Sequence, residues 1–320
     1  MDYIRESTDI WIEAPTVISL GKFDGLHMGH KLLLERMLKK KQQEGLKAVM
    51  FTFDIPPKAA VNKEALKVLT TNDEKESVFA KSGIDYLIEY PFTEEVRTME
   101  PEAFVRMLWE KLHVKCIVAG KDFRFGHNRR GDYHLLKELG PRYGFETIIV
   151  DKRQYEGRDI SSTFIREEIQ NAHMEKANLL LGYEFFLQGT VLHGRKLGRK
   201  LGIPTVNLIP PVDKLLPPFG VYVSQVLIDG ALHGGITNVG RKPTIEGENP
   251  IGVETHIFDY NEDLYGREIK VQFLSYLRPE KKFDSIEELR DEMNKNIAQG
   301  KEFLLNYQGV EQRMPVFDCR

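Results

Sequence analysis

The chain has 320 residues, with 45 Lys and Arg against 48 Asp and Glu, a formal net charge of −3, and 41% hydrophobic residues. Such a length suits about two domains, at ~100–200 residues each, and the apolar share is that of ordinary globular cores. The charge balance offers no basic footprint for nucleic acid. Cys116 and Cys319 form neither a disulfide framework nor a metal-ligand pattern, and no apolar run reaches the ~20 residues that span a bilayer.

The first residues, MDYIRESTDIWIE, are acidic and carry no secretory signal pattern, so the chain reads as cytoplasmic, without a membrane partner. TVISL (16–20) is a short β-like run between Pro15 and Gly21. Leu33, Leu34, Met37 and Leu38 recur at helical spacing over 30–43. Strands follow at AVMFTF (48–53), YLIEYPF (86–92), CIVAG (116–120) and ETIIVD (146–151), with an amphipathic helix at 101–112 opened by Pro101. Continuous apolar strands separated by helices predict an α/β fold, a Rossmann-like parallel sheet covered on both faces.

After about residue 184 the pattern changes. QGTVLHG, VYVSQVLIDG, LHGGITNVG, VETHIFDY and IKVQFLSYL are short, partly alternating runs divided by turn residues, which predicts an antiparallel β-barrel or sandwich. A closing helix has Ser285 as its cap, with Glu288 as capping-box partner, and an apolar stripe of Ile286, Leu289, Met293 and Ile297. Gly300 is expected to end it. The expected domains are 1–184 and 185–320.

GKFDGLHMGHKLLLER (21–36) is the first candidate site. It lies where a strand gives way to a helix, and ligands of open α/β sheets bind at the carboxyl ends of strands. A helix N-terminus attracts phosphate. Gly21 and Gly25 permit unusual backbone, and Gly29 permits close approach of a phosphate. His27 and His30 are three apart and can point to one side. A tight turn or a metal site remain alternatives, although zinc lacks a third nearby ligand. ISSTFIR (160–166) adds Ser161, Ser162 and Thr163 as caps or phosphate ligands, and Arg166 as a fork of donors. In AGKDFRFGHNRRGD (119–132), Phe123 and Phe125 are placed to flank a planar ring, and Arg124, Arg129 and Arg130 to meet phosphates or water.

GRKLGRKLGIPTVNL (194–208) is the second candidate site. Its glycines and cations suit a loop over ATP phosphates. Thr205 and Asn207 share a strand face and offer hard oxygen ligands to Mg²⁺. Glu254, in GVETHIFDY, is a candidate general base toward a hydroxyl.

G-x-F-D-G-x-H-x-G-H resembles the HxGH nucleotidyltransferases. With DFRFG, ISSTFIR, GRKLGRKLGIPTVNL, LPPFGVYV, TNVGRKPT, VETHIFDYNEDLYG and FLSYLRPEKKF in the same order, nearly the whole chain resembles the prokaryotic bifunctional riboflavin kinase/FMN adenylyltransferases. The resemblance implies an N-terminal domain that adenylylates FMN and a C-terminal barrel that phosphorylates riboflavin, both using ATP and Mg²⁺. It implies nucleotide contacts at Gly21, Phe23, Asp24, Gly29, Ser161, Ser162, Thr163 and Arg166. In the barrel it implies contacts at Gly198, Lys200, Gly202, Thr205 and Asn207, with Thr205 and Asn207 on the metal. Catalysis falls to His27, His30 and Glu254, and flavin contacts to Asp122, Phe123, Phe125 and Arg278. The implied partners are small molecules, and weak self-association is allowed. FTFDIPPKAAV (51–61) departs from the family's Pro-x-Pro-like stretch. Asp159 stands where some relatives carry an arginine, with Arg158 one residue earlier.

Overall fold

Six strands of the N-terminal half pair in parallel, as continuous apolar runs separated by helices require. The computed structural model describes residues 1–54, 67–194, 198, 201–241 and 251–313. It divides into two compact units, 1–162 and 163–320.

In the first unit β1 (Asp2–Arg5), β2 (Thr16–Leu20), β3 (Lys47–Phe53), β4 (Tyr86–Tyr90), β5 (Val114–Gly120) and, after the hairpin β6 (Arg124–Phe125) and β7 (Gly131–Asp132), β8 (Glu146–Val150) make one sheet. Its order is β1-β4-β3-β2-β5-β8, every pair parallel. The chain builds outward from β2 through β3 to β4, then returns to lay β5 on the other side of β2. The carboxyl ends of β2 and β5 are therefore the switch point, where loops part and leave a crevice. Strand β2 is buried along its whole length, as a central strand covered on both faces must be. Helix α1 (Met28–Glu44) packs Leu33, Leu34 and Met37 beneath one face; Phe104, Val105 and Leu108 of α4 (Pro101–Leu112) cover the other. Two short helices, α2 (Asn72–Phe79) and α3 (Glu94–Thr98), and α5 (Tyr133–Tyr143) complete the layers.

The edge strand β1 lies in a segment that reads only as an acidic start. Tyr3 anchors it: its hydroxyl donates to Glu89 Oε2 at 2.6 Å, and Glu89 also pairs with the buried Lys75 at 2.9 Å.

The hairpin β9 (Gln154–Tyr155) and β10 (Arg158–Asp159) closes the first unit; helix α6 (Ser162–Gln170) starts on its last residue and, with α7 (Met174–Leu181), belongs otherwise to the second. The sheet of the second unit comprises β11 (Phe186–Thr190), β12 (Val206–Leu208), β13 (Gly220–Ile228), β14 (Ala231–Arg241), β15 (Ile251–Ile257) and β16 (Glu268–Pro279). All pairs are antiparallel, in the order β11-β16-β13-β14-β15-β12. A bridge from Leu192 to Asn207 joins the last strand back toward the first and nearly closes the barrel. Interior positions alternate with exterior ones. Thr237 hydrogen-bonds Ser224 at 2.7 Å and Thr255 at 2.8 Å inside, while Val221, Val223, Ile236 and Leu274 pack outward with Ile297, Phe303 and Leu304 of α8 (Ile286–Leu305).

Helix α8 starts as its cap predicts, with Ser285 Oγ accepting from the Glu288 N–H at 3.1 Å; the Glu288 carboxylate reaches the Asp284 N–H, at 3.2 Å. The expected end at Gly300 is corrected: the helix runs on to Leu305. Gly300 is there for close packing, because a Cβ would stand 2.5 Å from Ile236 Cδ1.

Asn178 ties α7 to the barrel. It is fully buried, donates from Nδ2 to the Phe273 carbonyl at 2.8 Å, and accepts the Phe185 N–H on Oδ1 at 2.8 Å. Truncation orphans a buried donor and a buried acceptor, each costing ~1–3 kcal/mol. Asn178→Ala is expected to destabilise the second unit by about 2–4 kcal/mol in urea unfolding followed on that unit, and Asn178→Asp, which cannot donate, to recover little of it.

Candidate active sites

The turn from β2 into α1 holds left-handed backbone at Phe23 (φ 46°), Gly25 (φ 84°) and Leu26 (φ 32°). For Phe23 and Leu26 this costs energy and needs outside support. Asp24 supplies it: Oδ1 accepts from the Leu69 N–H at 2.8 Å and the Thr70 N–H at 3.2 Å, while the Gly25 N–H donates to Thr70 Oγ1 at 3.1 Å. Ser162, at the start of α6, donates its hydroxyl to the Asp24 carbonyl at 2.9 Å. Asp24 and Ser162 thus shape the turn and join it to the ISSTFIR segment.

The turn aims His27, which precedes α1, and His30, in its first turn. Their rings stack at 3.7 Å and 19°, and the edge of His30 meets Phe23 at 5.3 Å. Gly29 makes the stack possible: a Cβ there would stand 3.1 Å from the His27 ring and 3.2 Å from the Ile160 carbonyl. A Cβ on Gly21 would likewise reach the Phe23 ring at 3.0 Å. His30 keeps some exposure as a residue, but its Nδ1 is shut off from solvent and has no hydrogen-bond partner among the described residues. Burial pushes its imidazole down to about 4, against the weaker upward pull of the Asp122 carboxylate. His30, held neutral in this way, is an N–H donor that brings no fixed charge, and His27 stacks against it.

The loop after β5 brings Asp122 to this end of the sheet. Phe123 and Phe125 do not flank an open slot. They stack on each other at 5.4 Å and 16°, and Phe125 is buried against Phe104. Arg130 pairs with Glu100, Arg124 lies 3.9 Å from Asp132, and no described residue pairs with Arg129. Ser161 directly precedes α6; Thr163 and Arg166 lie within it, in the second unit.

In the barrel, strand register assembles the second site. Asn207 of β12 faces Glu254 of β15, and Glu254 faces Asn238 of β14. The Thr205 hydroxyl, just before β12, donates to Glu254 Oε1 at 2.7 Å. Asn207 is buried; a Cβ on Gly194 would fall 2.4 Å from its Nδ2, so the glycine leaves that amide its room. The backbone folds tightly around Gly198, whose carbonyl accepts the Leu201 and Ile203 N–H groups at 3.1 and 2.8 Å, and Gly202 takes φ 76°. Lys200, and with it much of the cationic loop, lies outside the described residues, as does the continuation of FTFD into IPPKAAV.

The same row continues from Asn238 to Val221 of β13 and on to Arg278 of β16. Arg278 is therefore on the Glu254 face, three strand spacings away, roughly 14 Å at ~4.8 Å per strand. Helix α8 holds it: Nε donates to Asn296 Oδ1 at 3.2 Å and pairs with Glu292 at 3.2 Å. Sequence reasoning missed Asn238, Glu292 and Asn296. Asn238 lies within a quoted motif, but only the pairing register shows that it neighbours Glu254.

A protein-family model described as FAD synthetase matches residues 9–164, and one described as riboflavin kinase matches residues 181–304. The bifunctional riboflavin kinase/FMN adenylyltransferase of Listeria monocytogenes is 34% identical over 93% of this chain and 95% of its own. That of Bacillus subtilis is 31% identical over 92% and 94%. A crystal structure from Streptococcus pneumoniae, titled a macrolide-efflux protein, superposes with a TM-score of 0.84 at 31% identity over 96% of this chain and 99% of its own. No described helix of the present chain is long and apolar enough to cross a membrane. The ordered pair of family matches and the near-complete coverage by these relatives place the chain in the bifunctional riboflavin kinase/FMN adenylyltransferase family.

Proposed function

We propose that this chain converts riboflavin and ATP to FMN and ADP in its C-terminal domain (185–320). FMN and ATP then become FAD and pyrophosphate in its N-terminal domain (1–184). The observation that carries the N-terminal half of this reading is the enclosed, unpartnered Nδ1 of His30, stacked on His27 at the switch point of the sheet.

The FMN phosphate is largely ionised at neutral pH, since the second pKa of a phosphomonoester is about 6. Its oxygen attacks the α-phosphorus of ATP without surrendering a proton, the bond to the bridging oxygen breaks, and pyrophosphate leaves. The protein's task is to position the phosphates and stabilise charge on them. His27 and His30 do this as hydrogen-bond donors, with Gly29 leaving the space and Ser161 beside the approach. The flavin rests on the outer side of Phe123, near Asp122.

The riboflavin 5′-hydroxyl does carry a proton. Glu254 accepts it as that oxygen attacks the γ-phosphorus and ADP departs. The Thr205 hydroxyl orients the Glu254 carboxylate, and Arg278, fixed by Glu292 and Asn296, lies along the same face toward the ring end of the flavin. Thr205 and Asn207 offer a hydroxyl and an amide oxygen beside Glu254, hard donors suited to Mg²⁺. They would hold it beside the ATP phosphates, where it screens polyphosphate charge. The anionic co-substrates ATP and FMN suit a cytoplasmic enzyme.

Because the two chemistries use different residues, they separate by mutation. His30→Ala is expected to lower FAD formation from FMN by 100-fold or more while leaving FMN formation from riboflavin near the wild-type rate. Glu254→Gln is expected to do the reverse when FMN is supplied, with both products resolved chromatographically. FAD synthesis surviving in His30→Ala would exclude the proposed role of the histidine pair.

The buried His30 also sets a pH dependence. Its folded pKa, about 4, lies below the ~6.5 of an unfolded histidine. The unfolded state takes up a proton first, so the contribution is intact above about pH 6.5 and is lost as pH falls toward 4. Denaturation of the ligand-free protein across that window should show a stability slope of up to ~1.4 kcal/mol per pH unit from this group, a slope that His30→Gln lacks.

A further inference from the structure

Lys152 lies two residues beyond β8, at the carboxyl edge of the sheet that carries the histidine pair. Its ammonium stands between carboxylates of two different segments. Asp122 Oδ2, in the loop after β5, is 3.1 Å away, and Asp159 Oδ2, in β10 and immediately before Ile160, is 3.3 Å away. Gln154 Nε2 holds the other oxygen of Asp159 at 2.9 Å. Asp122 Oδ1 rests 3.1 Å from the position of a Cβ on Gly120, close to the strand end. The adjacent Lys121–Asp151 pair is internally neutral.

The three side chains stay 39%, 66% and 42% exposed, so these ion pairs contribute little stability. Their consequence is electrostatic. A nucleotide polyphosphate carries several negative charges, and two uncompensated carboxylates beside its path oppose its approach by long-range repulsion. The ammonium reduces that local charge from −2 to −1. It also links the loop that carries Asp122 to the strand end at Asp159, which leads into Ile160 beside Gly29.

We infer that Lys152 is a positioning residue for the adenylyl-transfer site, one that offsets Asp122 and Asp159 so that the anionic nucleotide can approach His27 and His30. The inference rests on the proposed identity of that site and adds to it a residue outside the motifs.

The test uses the full-length protein with FMN, Mg²⁺ and varied ATP, and riboflavin phosphorylation in the same preparations as the check on folding. Lys152→Met is expected to raise the KM for ATP in FAD formation about five- to tenfold at low ionic strength, with kcat within about twofold. The difference should shrink as salt shortens the screening length. Lys152→Arg should behave as the wild type. The double variant Lys152→Met, Asp159→Asn has the wild-type local charge, and its KM should return to within about twofold of wild type. An unchanged KM in Lys152→Met overturns the inference, and so does a double variant as impaired as the single one, which would mean a direct phosphate contact. Failure of the wild type to make FAD from FMN and ATP would overturn the assignment of the site itself.

Discussion

The carboxylate of Asp24 is the support on which the N-terminal site depends. Phe23 and Leu26 hold left-handed backbone, at roughly 1–2 kcal/mol each for residues with a Cβ. Two hydrogen bonds from backbone N–H groups to an ionised carboxylate contribute about 1.5–3 kcal/mol each, which is enough to offset that strain. The neutral bonds from Gly25 to Thr70 and from Ser162 to the Asp24 carbonyl add to it. The turn is thereby fixed to two segments distant in sequence, 69–70 and 162, and His27 and His30 inherit their positions from it. A carboxylate in a motif proposed to bind anions looks misplaced until its Oδ1 is seen to accept two of the protein's own N–H groups.

In the barrel the corresponding constraint is register. Glu254 gains its neighbours because β12, β15, β14, β13 and β16 align Asn207, Glu254, Asn238, Val221 and Arg278 in one row. A slip of one residue in any pairing would turn part of that row to the opposite face. The buried Thr237–Ser224–Thr255 hydroxyl network, one residue over on the interior face, binds the three central strands at that level. Interior polar contacts and exterior chemistry are thus set by the same alignment.

The layers of the fold were legible because burial writes itself into residue pattern. Continuous apolar runs gave the parallel strands, and alternating runs gave the barrel. Strand β1 escaped because, beside its pairing with β4, its side-chain anchor is a Tyr3–Glu89–Lys75 cluster with no periodic signature. The end of α8 escaped because a glycine reads as a stop whether it caps a helix or, like Gly300, lets a strand approach. The proximity of His27 to His30 was legible from spacing alone; their stacking was not, since it depends on Gly29 and the distant Ile160. Phe123 and Phe125 show the limit of two-residue spacing: the hairpin turns their rings onto each other. Asn238, Asn296 and Lys152 were hidden because each matters only through a partner remote in sequence.

The two sites treat the same co-substrate differently, and the acceptors explain the difference. An alcohol keeps its proton at neutral pH, so its transfer to phosphorus needs a base. In the proposed reaction that base is Glu254, on which a hydroxyl donor is fixed at 2.7 Å. A phosphate acceptor has already lost its proton, so a base would be idle, and an added carboxylate would repel both reactants. In the N-terminal site the Nδ1 atoms of the two stacked imidazoles are buried. Burial keeps His30 neutral, Asp24 Oδ1 accepts two backbone donors, and Asp122 is paired with Lys152. Among the described residues Asp122 and Asp159 are engaged by Lys152 and Asp24 Oδ1 by backbone N–H groups, whereas Glu254 in the barrel is engaged by a hydroxyl. That contrast follows from the ionisation of the two acceptors, and it is why one family needs two sites of opposite electrostatic character to build one cofactor.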